Sequence, residues 1–438
     1  MRTHRTLARR PLLPVAAGVL LLAALAAGDV IELNNGERYE GLVVEQGTVI
    51  RFKVVYPNGG SMTRSFKRAD VKDLTITGQA PQPAPAEPKE EPKADSALSD
   101  GPPQLSRDEV QGRIRVIGPS LPEWWNEVEL VYPDTLDLAG TKKVQGWRPD
   151  INLGAYVWDR INPHPQRWRE GVKLLHHVVD VRKGDPAGRA EAMEMLGNLY
   201  FKLLNDWERA AYWYETSLLH RPRVTAIVTV HLAECHWRIG SRDLAVQTLR
   251  RFGQDMKLPS AMAAQLWCQM GYAGGAMKMA ESMMAIPQRA DEGCLAAGNI
   301  CRYQGRFDEA IGHYEKLLTL STGTRYLQPN KQRARENLQA VQALKALDLS
   351  RVPDGVHAGE ALGYKGPLVV KVHVASGAIT RVEVVDHREN QPNSALVNAP
   401  LRIVAHPDFR GIDATTGAST TSDAVMNAAI EALRKAQK

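Results

Sequence analysis

The sequence predicts a multidomain chain: a small all-β module, an α-helical repeat solenoid and a C-terminal α+β domain. Three observations carry this prediction. Short alternating apolar runs separated by Asn/Gly turns fill residues 29–78. Small and large residues recur in one order between residues 186 and 347, as stacked helix pairs require. Past residue 355, two alternating runs precede an amphipathic stretch. The 438 residues suffice for roughly two to four domains of ordinary size. With 44% apolar and 24% charged residues, the chain is neither disordered nor fibrous throughout.

The N-terminus reads as an address. A basic stretch precedes the apolar run Val15–Ala27, and Ala24-Leu25-Ala26 supplies an A-x-A site, so residues 1–26 are expected to be a secretory signal peptide. The protein is therefore expected to be exported, periplasmic or otherwise extracytoplasmic, with an uncleaved N-terminal membrane anchor as the alternative. The net charge of +6 includes Arg2, Arg5, Arg9 and Arg10 of this segment; six less four leaves +2, so no nucleic-acid partner is expected. Cys235, Cys268, Cys294 and Cys301 form no C-x-x-C or C-x-x-C-H motif, which argues against iron–sulfur, zinc-ribbon and c-type haem sites. Buried thiols and inter-helix disulfides both remain open.

In the β module, residues 29–78, the expected strands are Val30–Leu33, Leu42–Glu45, Val49–Val55 and Met62–Phe66, with Asn34-Asn35-Gly36 and Pro57-Asn58-Gly59-Gly60 as turns. They suit a barrel-like or open sheet. Residues 79–104, rich in Pro, Ala, Glu and Lys, cannot bury a core and are expected to be an extended linker. Residues 105–185 are mostly helical by pattern and carry Trp124, Trp125, Trp147, Trp158 and Trp168. In Arg167–Val181, Trp168, Val172, Leu175 and Val179 fall at helical spacing, which predicts packing rather than a ligand box. His176 and His177 lack a second pair one turn away and read as structural.

The repeat region spans residues 186–347. Leu196, Gly197, Tyr200, Ala210, Tyr214 and Pro222 define one copy, with one residue inserted before Ala210. Leu232, Ala233, Gly240, Ala245 and Leu249 mark the next, and Gly298, Gly305, Phe307, Ala310 and Tyr314 the last; a degenerate copy lies around Trp267–Met284. Small residues recur where two helices approach closely, and large ones fill the grooves between pairs. The pattern resembles the tetratricopeptide (TPR) repeat, closed by a capping helix near Gln332–Leu347. The resemblance implies a surface for a protein partner.

The C-terminal region, residues 355–438, carries the chemistry. Leu368–Val374 and Ile379–Val385 read as a hairpin around Ser376-Gly377, and Asp423–Lys435 as an amphipathic helix. Between them Thr415, Thr416, Ser419, Thr420, Thr421 and Ser422 crowd a helix start, with Gly417 allowing a tight turn. Thr421 or Ser422 is the expected N-cap, with Asp423 in the first turn. Free N–H groups at such a point attract phosphate.

Several motifs in this region resemble, in order, the FMN-binding domain of the covalently flavinylated subunits of Rnf and Na⁺-pumping NADH:quinone reductase complexes. Gly363-Tyr364-x-Gly366-Pro367 precedes the strand; His387-x-Glu389 follows the hairpin. Phe409, Asp413 and Thr416-Gly417-Ala418-Ser419-x-Thr421-Ser422 are similar to the flavinylation motif D-x-x-[ST]-G-A-[TS]-x-T. Residues 389–400 depart from the family's Gly-rich T-P-G-L-G segment. The resemblance implies covalent FMN, attached by a phosphoester to Ser419 and installed by an ApbE-type flavin transferase from FAD with a divalent metal. It assigns Asp413, Thr416, Gly417, Ala418, Thr420 and Thr421 to the cofactor-binding motif, with Thr416 and Thr421 as donors to the phosphate. It also implies an electron carrier whose partner is a redox protein or a membrane electron-transfer complex, rather than an enzyme with its own substrate. The alternative is a non-redox TPR scaffold whose C-terminal domain is a relic or a sensor. No G-x-G-x-x-G fingerprint points to a second nucleotide site.

Overall fold

A computed structural model describes residues 29–35, 38–45, 48–55, 61–76, 102, 104–142, 146–220, 226–253, 260–389, 395–412 and 419–437. The signal-like segment and nearly all of the Pro-rich stretch lie outside them. The chain divides into two compact units, residues 1–90 and 91–438. No helix among the described residues is long and apolar enough to cross a membrane.

The first unit holds an antiparallel sheet of β1 (Asp29–Leu33), β2 (Arg38–Glu45), β3 (Val49–Val55), β4 (Ser61–Lys67) and β5 (Val71–Thr75), ordered β4-β3-β2-β1-β5. Ile31, Leu33, Ile50 and Phe52 alternate onto one buried face. The sheet is open rather than closed, because β4 and β5 occupy its two edges. The edge strand β5 was not expected: VKDLT carries too little apolar alternation to stand out, and it is held by pairing with β1.

The second unit begins with α1 (Arg107–Ile117), whose Ser106 N-cap forms a capping box with Glu109. A short α2 (Leu153–Tyr156) and then α3 (Trp168–Val181) follow. On α3, Val172, Leu175 and Val179 are buried as the spacing predicts, and Trp168 packs against them. The tryptophans divide: Trp147 and Trp158 are exposed and meet edge-on, with the Trp147 indole N–H donating to Asp159.

Four helix pairs come next: α4 (Pro186–Leu199) with α5 (Trp207–His220), α6 (Ala226–Ile239) with α7 (Arg242–Gly253), α8 (Ala261–Gln269) with α9 (Ala273–Met284), and α10 (Ala290–Tyr303) with α11 (Phe307–Thr319). The capping helix α12 runs over Leu327–Lys345, five residues earlier in its start than expected (Leu327 against Gln332). A Cβ on Gly197 would stand 2.8 Å from the Tyr214 ring, and one on Gly298 2.7 Å from Tyr314 Cδ1. Both glycines are therefore required by the close approach of paired helices. Each turn within a pair contains one residue with left-handed φ: Asn205, Gly240, Gly271 and Gly305. The inserted residue of the first copy is absorbed by a π-helical turn at Tyr200–Leu204, which lets Tyr214 meet Gly197 as Tyr314 meets Gly298. All four cysteines are buried free thiols.

His176 joins α3 to this stack. Its Nε2 lies 3.1 Å from the Tyr200 hydroxyl, and its ring meets Trp125 and Trp213 edge-on. Burial pushes its pKa down from 6.5 to about 4, outweighing the opposing pull of Asp180. An unfolded chain takes up a proton below pH 6.5 that the folded ring refuses until about pH 4. The stability contributed by the neutral ring is thus complete above pH 6.5 and lost as the pH falls through that window. At pH 5 the loss is on the order of 2 kcal/mol. Urea titrations at pH 7 and pH 5 are expected to show this loss, and His176→Gln to reduce it; equal losses in both proteins would remove His176 as the cause.

The C-terminal region is a three-stranded antiparallel sheet, β6 (Gly355–Leu362), β7 (Pro367–Ala375) and β8 (Ala378–His387), with α13 (Ala395–Ala405) and α14 (Ser419–Ala436). The expected hairpin is β7–β8. Leu368, Val370, Val372 and Val374 of β7 alternate onto the face that α14 covers with Ala424, Val425, Ala428, Ala429 and Leu433. Strand β6 and helix α13 are additions to the expected hairpin and helix. Two glycines obscure β6, and Pro400 lies inside α13.

Candidate functional site

A cavity of about 600 Å³ opens between repeat helices α8, α10 and α12 and the C-terminal region. Its repeat-side wall follows helical periodicity. Leu295, Asn299 and Arg302 recur at i, i+4 and i+7 along α10, so one stripe of that helix faces the cavity. Met262, Gln265 and Gln269 recur at i, i+3 and i+7 on α8, and Asn330 and Arg333 of α12 follow its N-cap Tyr326 at i+4 and i+7. The opposite wall comes from the β6–β7 turn (Leu362–Lys365), from Phe409 and Ile412, and from Ser419, Thr420, Asp423 and Met426 of α14.

Helix α14 starts at Ser419, four residues before the expected Asp423. This corrects the N-cap expectation for Thr421 and Ser422: both side chains are buried within the helix. Tertiary packing overrides the reluctance of Ser and Thr to enter helices. The hydroxyl of Thr421, expected as a phosphate donor, donates to Glu389 Oε2 at 2.8 Å. The other oxygen of Glu389 accepts from the Lys365 backbone N–H at 3.3 Å. A Cβ on Gly363 would overlap that carboxylate and displace it. The buried Glu389 thus ties the β6–β7 turn to the first turn of α14 and orders one rim of the cavity. It explains why a glutamate follows β8, a role that the motif alone left undefined.

Ser419 and Thr420 lie at the cavity, both half-buried. Ser419 Oγ accepts from Arg333 Nη2 at 3.3 Å, and the same nitrogen donates to Asp423 Oδ2 at 2.8 Å. Asp423 is 6% exposed and also accepts from Asn337 Nδ2 at 3.2 Å. Asn337 donates in turn to Asn299 Oδ1, which also accepts from the Tyr314 hydroxyl. One polar network therefore joins α10, α11, α12 and α14. Asp413, Thr416, Gly417 and Ala418 lie outside the described residues.

Two further features shape the cavity. Phe409 is buried with φ of 58°, a conformation costly for an aromatic residue and held by its surroundings. The segment after it docks on the last repeat: Gly411 N–H donates to the Tyr303 carbonyl at 2.9 Å, and Arg410 sits 5.8 Å from the Phe307 ring centre. Arg302 is 3% exposed, and none of its three guanidinium nitrogens has a hydrogen-bond partner among the described residues. Arg302 and Arg333 were not singled out in the sequence. The available signal for Arg302 was a cation at i+4 from Gly298 on a largely apolar helix; for Arg333, on a polar capping helix, there was none.

A half-enclosed, largely apolar cavity with a hydroxyl and guanidinium groups is suited to a ring system that carries an anion. Residues 363–434 match the family model of the FMN-binding domain, and residues 294–326 match that of the tetratricopeptide repeat. A search of curated proteins gives no match. The chain thus combines a flavin-binding domain with a repeat region suited to interaction. The residues present fit FMN: the volume is that of a small-molecule site, Tyr303, Tyr326, Tyr364 and Phe409 line it, and the buried Arg302 lacks a partner that a phosphate would provide.

Proposed function

We propose that the protein is an exported electron-transfer flavoprotein whose FMN is joined by a phosphoester to Ser419. The observation that carries this reading is the position of the Ser419 hydroxyl: at the start of α14, on the cavity, 3.3 Å from a guanidinium nitrogen. A phosphate on that oxygen would lie at the N-terminal end of α14, favoured by the helix dipole, and beside the arginine. Ser419 loses its proton when an ApbE-type transferase moves the FMN phosphoryl group from FAD and AMP leaves.

Bound FMN supplies one- and two-electron redox chemistry. The chain's own residues hold and enclose it. Arg333 would orient the phosphate end by donating to it, the apolar wall would exclude water, and Glu389 keeps the β6–β7 turn against α14. A covalent tether holds the cofactor at high effective concentration outside the cytoplasm, where a dissociable one is diluted away. Export rests on the N-terminal segment. The repeat region would dock a redox protein or a membrane electron-transfer complex through faces that the C-terminal region does not cover.

The test is the intact mass of the mature protein after co-expression with an ApbE-type transferase. A gain of one FMN less one water, fluorescent on a denaturing gel and lost in Ser419→Ala, is expected. The bare polypeptide mass in both proteins would overturn the covalent reading.

A further inference from the structure

We propose that the repeat helices supply the phosphate recognition of the flavin site: Arg302 of α10 and Arg333 of α12 together take the flavin phosphate beside Ser419. The inference rests on the reading of the cavity as a flavin site but not on the covalent bond. Its starting point is an unsatisfied group. Arg302 is 97% buried, lines the cavity, and leaves Nε, Nη1 and Nη2 without a hydrogen-bond partner among the described residues. A guanidinium carries five donors and keeps its charge at any physiological pH. Burying it unpaired is among the costliest arrangements a fold can contain, and it persists where a ligand completes the pair. Arg333 shows the same deficit in part: Nη2 is used, while its buried Nε has no partner.

The two arginines line the same cavity as Ser419 and Asp423. The buried Tyr314 phenol feels the charges of Arg302, Asp423 and Arg333 together. Its hydroxyl donates to Asn299, which accepts from Asn337, which donates to Asp423. The charges there do not balance without a ligand. Asp423 answers one arginine, by its ion pair with Arg333, and Arg302 is left over. A phosphodiester carries one negative charge, which is what this cluster lacks. The remaining charged groups on the wall have other surroundings: Glu292 pairs with Arg289, Glu336 accepts from Gln332, and Lys365 is exposed against Tyr364. Planar guanidinium groups suit tetrahedral oxyanions, and the start of the 18-residue α14 adds its N–H groups and its dipole. A flavin domain of this kind is then incomplete without the repeats: α10 and α12 act as part of the cofactor site as well as a surface for partners.

The test uses the full chain made without a transferase, so that no tether contributes. FMN and riboflavin, which differ in the phosphate, are titrated into wild type, Arg302→Met and Arg302→Lys. FMN is expected to bind wild type at least tenfold more tightly than riboflavin. Arg302→Met should erase that preference and leave riboflavin affinity within about twofold, while Arg302→Lys keeps part of it. The ligand-free Arg302→Met protein should melt no earlier than wild type, because an unpaired buried charge has been removed; a merely structural arginine would lower the melting temperature instead. Equal binding of the two flavins to wild type overturns the proposal. Equal weakening of both by Arg302→Met also does, because the arginine would then meet the ring. If neither flavin binds measurably, or if Arg302→Met does not fold, inorganic phosphate decides. Stabilisation of wild type by phosphate over chloride at matched ionic strength, reduced in Arg302→Lys, supports the site; no stabilisation overturns it. The mass measurement on Ser419→Ala is independent, so either reading can fail alone.

Discussion

Gly359→Val is expected to detach α14 from the C-terminal sheet. Gly359 lies on the buried face of β6, against the backbone of α14 rather than its side chains. A Cβ there would overlap the Ala428 carbonyl oxygen and stand 2.5 Å from the Ala432 nitrogen and 3.0 Å from its Cα. No rotamer change relieves a clash with helix backbone, so the helix must move as a whole. Overpacking ordinarily costs about 1–3 kcal/mol. Here Gly359→Ala is expected at the upper end, about 3 kcal/mol, and Gly359→Val beyond it, a large share of a domain's total stability. Because the second unit contains several cores, hydrogen exchange is a better measure than one unfolding midpoint. Amides of β6 and α14 should lose protection while those of α4 and α5 keep theirs. The control is Gly312→Ala on α11, where a Cβ meets nothing within 4 Å. That change should stabilise by about 0.5–1 kcal/mol through helix propensity. Unchanged protection in Gly359→Ala would refute the close approach.

Asp423→Asn is the second large effect, and it bears on the site. The carboxylate is nearly buried and accepts from Arg333 and Asn337. Asparagine has the same shape without the charge, and it leaves Arg333 without the carboxylate it pairs with, in a cavity that Arg302 also lines. Removing one partner of a buried pair typically costs about 3–5 kcal/mol, because the other charge stays behind. The loss should appear at the contact of α12 with α14, as weakened amide protection in both helices. Adding Arg333→Gln should recover part of it, since the stranded charge is then gone, and the non-additivity of this double-mutant cycle measures the coupling. Additive losses would show that the two residues act separately. In the single variant, phosphate should stabilise more than in wild type, because it replaces the missing anion.

Much of the architecture is legible from residue spacing. The alternation in β7 and β8, the helical stripe on α3 and the Gly–Tyr pairs of the first and last repeats are local patterns, each written within one element or between neighbours. The flavin motif is legible for the same reason, being an ordered string of residues around one turn. Elements without a strong pattern were not. Strand β6 carries two glycines and is held by pairing with β7. Helix α13 contains Pro400 and is held against β8 and α14. The start of α14 was misplaced because Ser419–Ser422 favour a cap when considered alone and lie in a helix once packed. The one-residue insertion in the first repeat was visible, whereas its accommodation by a π-helical turn depended on keeping Tyr214 against Gly197.

The sequence alone determined that helical repeats precede a flavin-type motif, and which hydroxyl follows its Gly-Ala pair, since these depend on residue order over short distances. Only the tertiary structure decided that the repeats form a wall of the cavity, that the Thr421 hydroxyl donates to Glu389, and that Arg302 and Arg333 line the same cavity as Ser419. Arg302 and Ser419 are separated by more than a hundred residues of chain. Their convergence follows from the stacking of α10 and α12 and the packing of α14, and no local pattern encodes it.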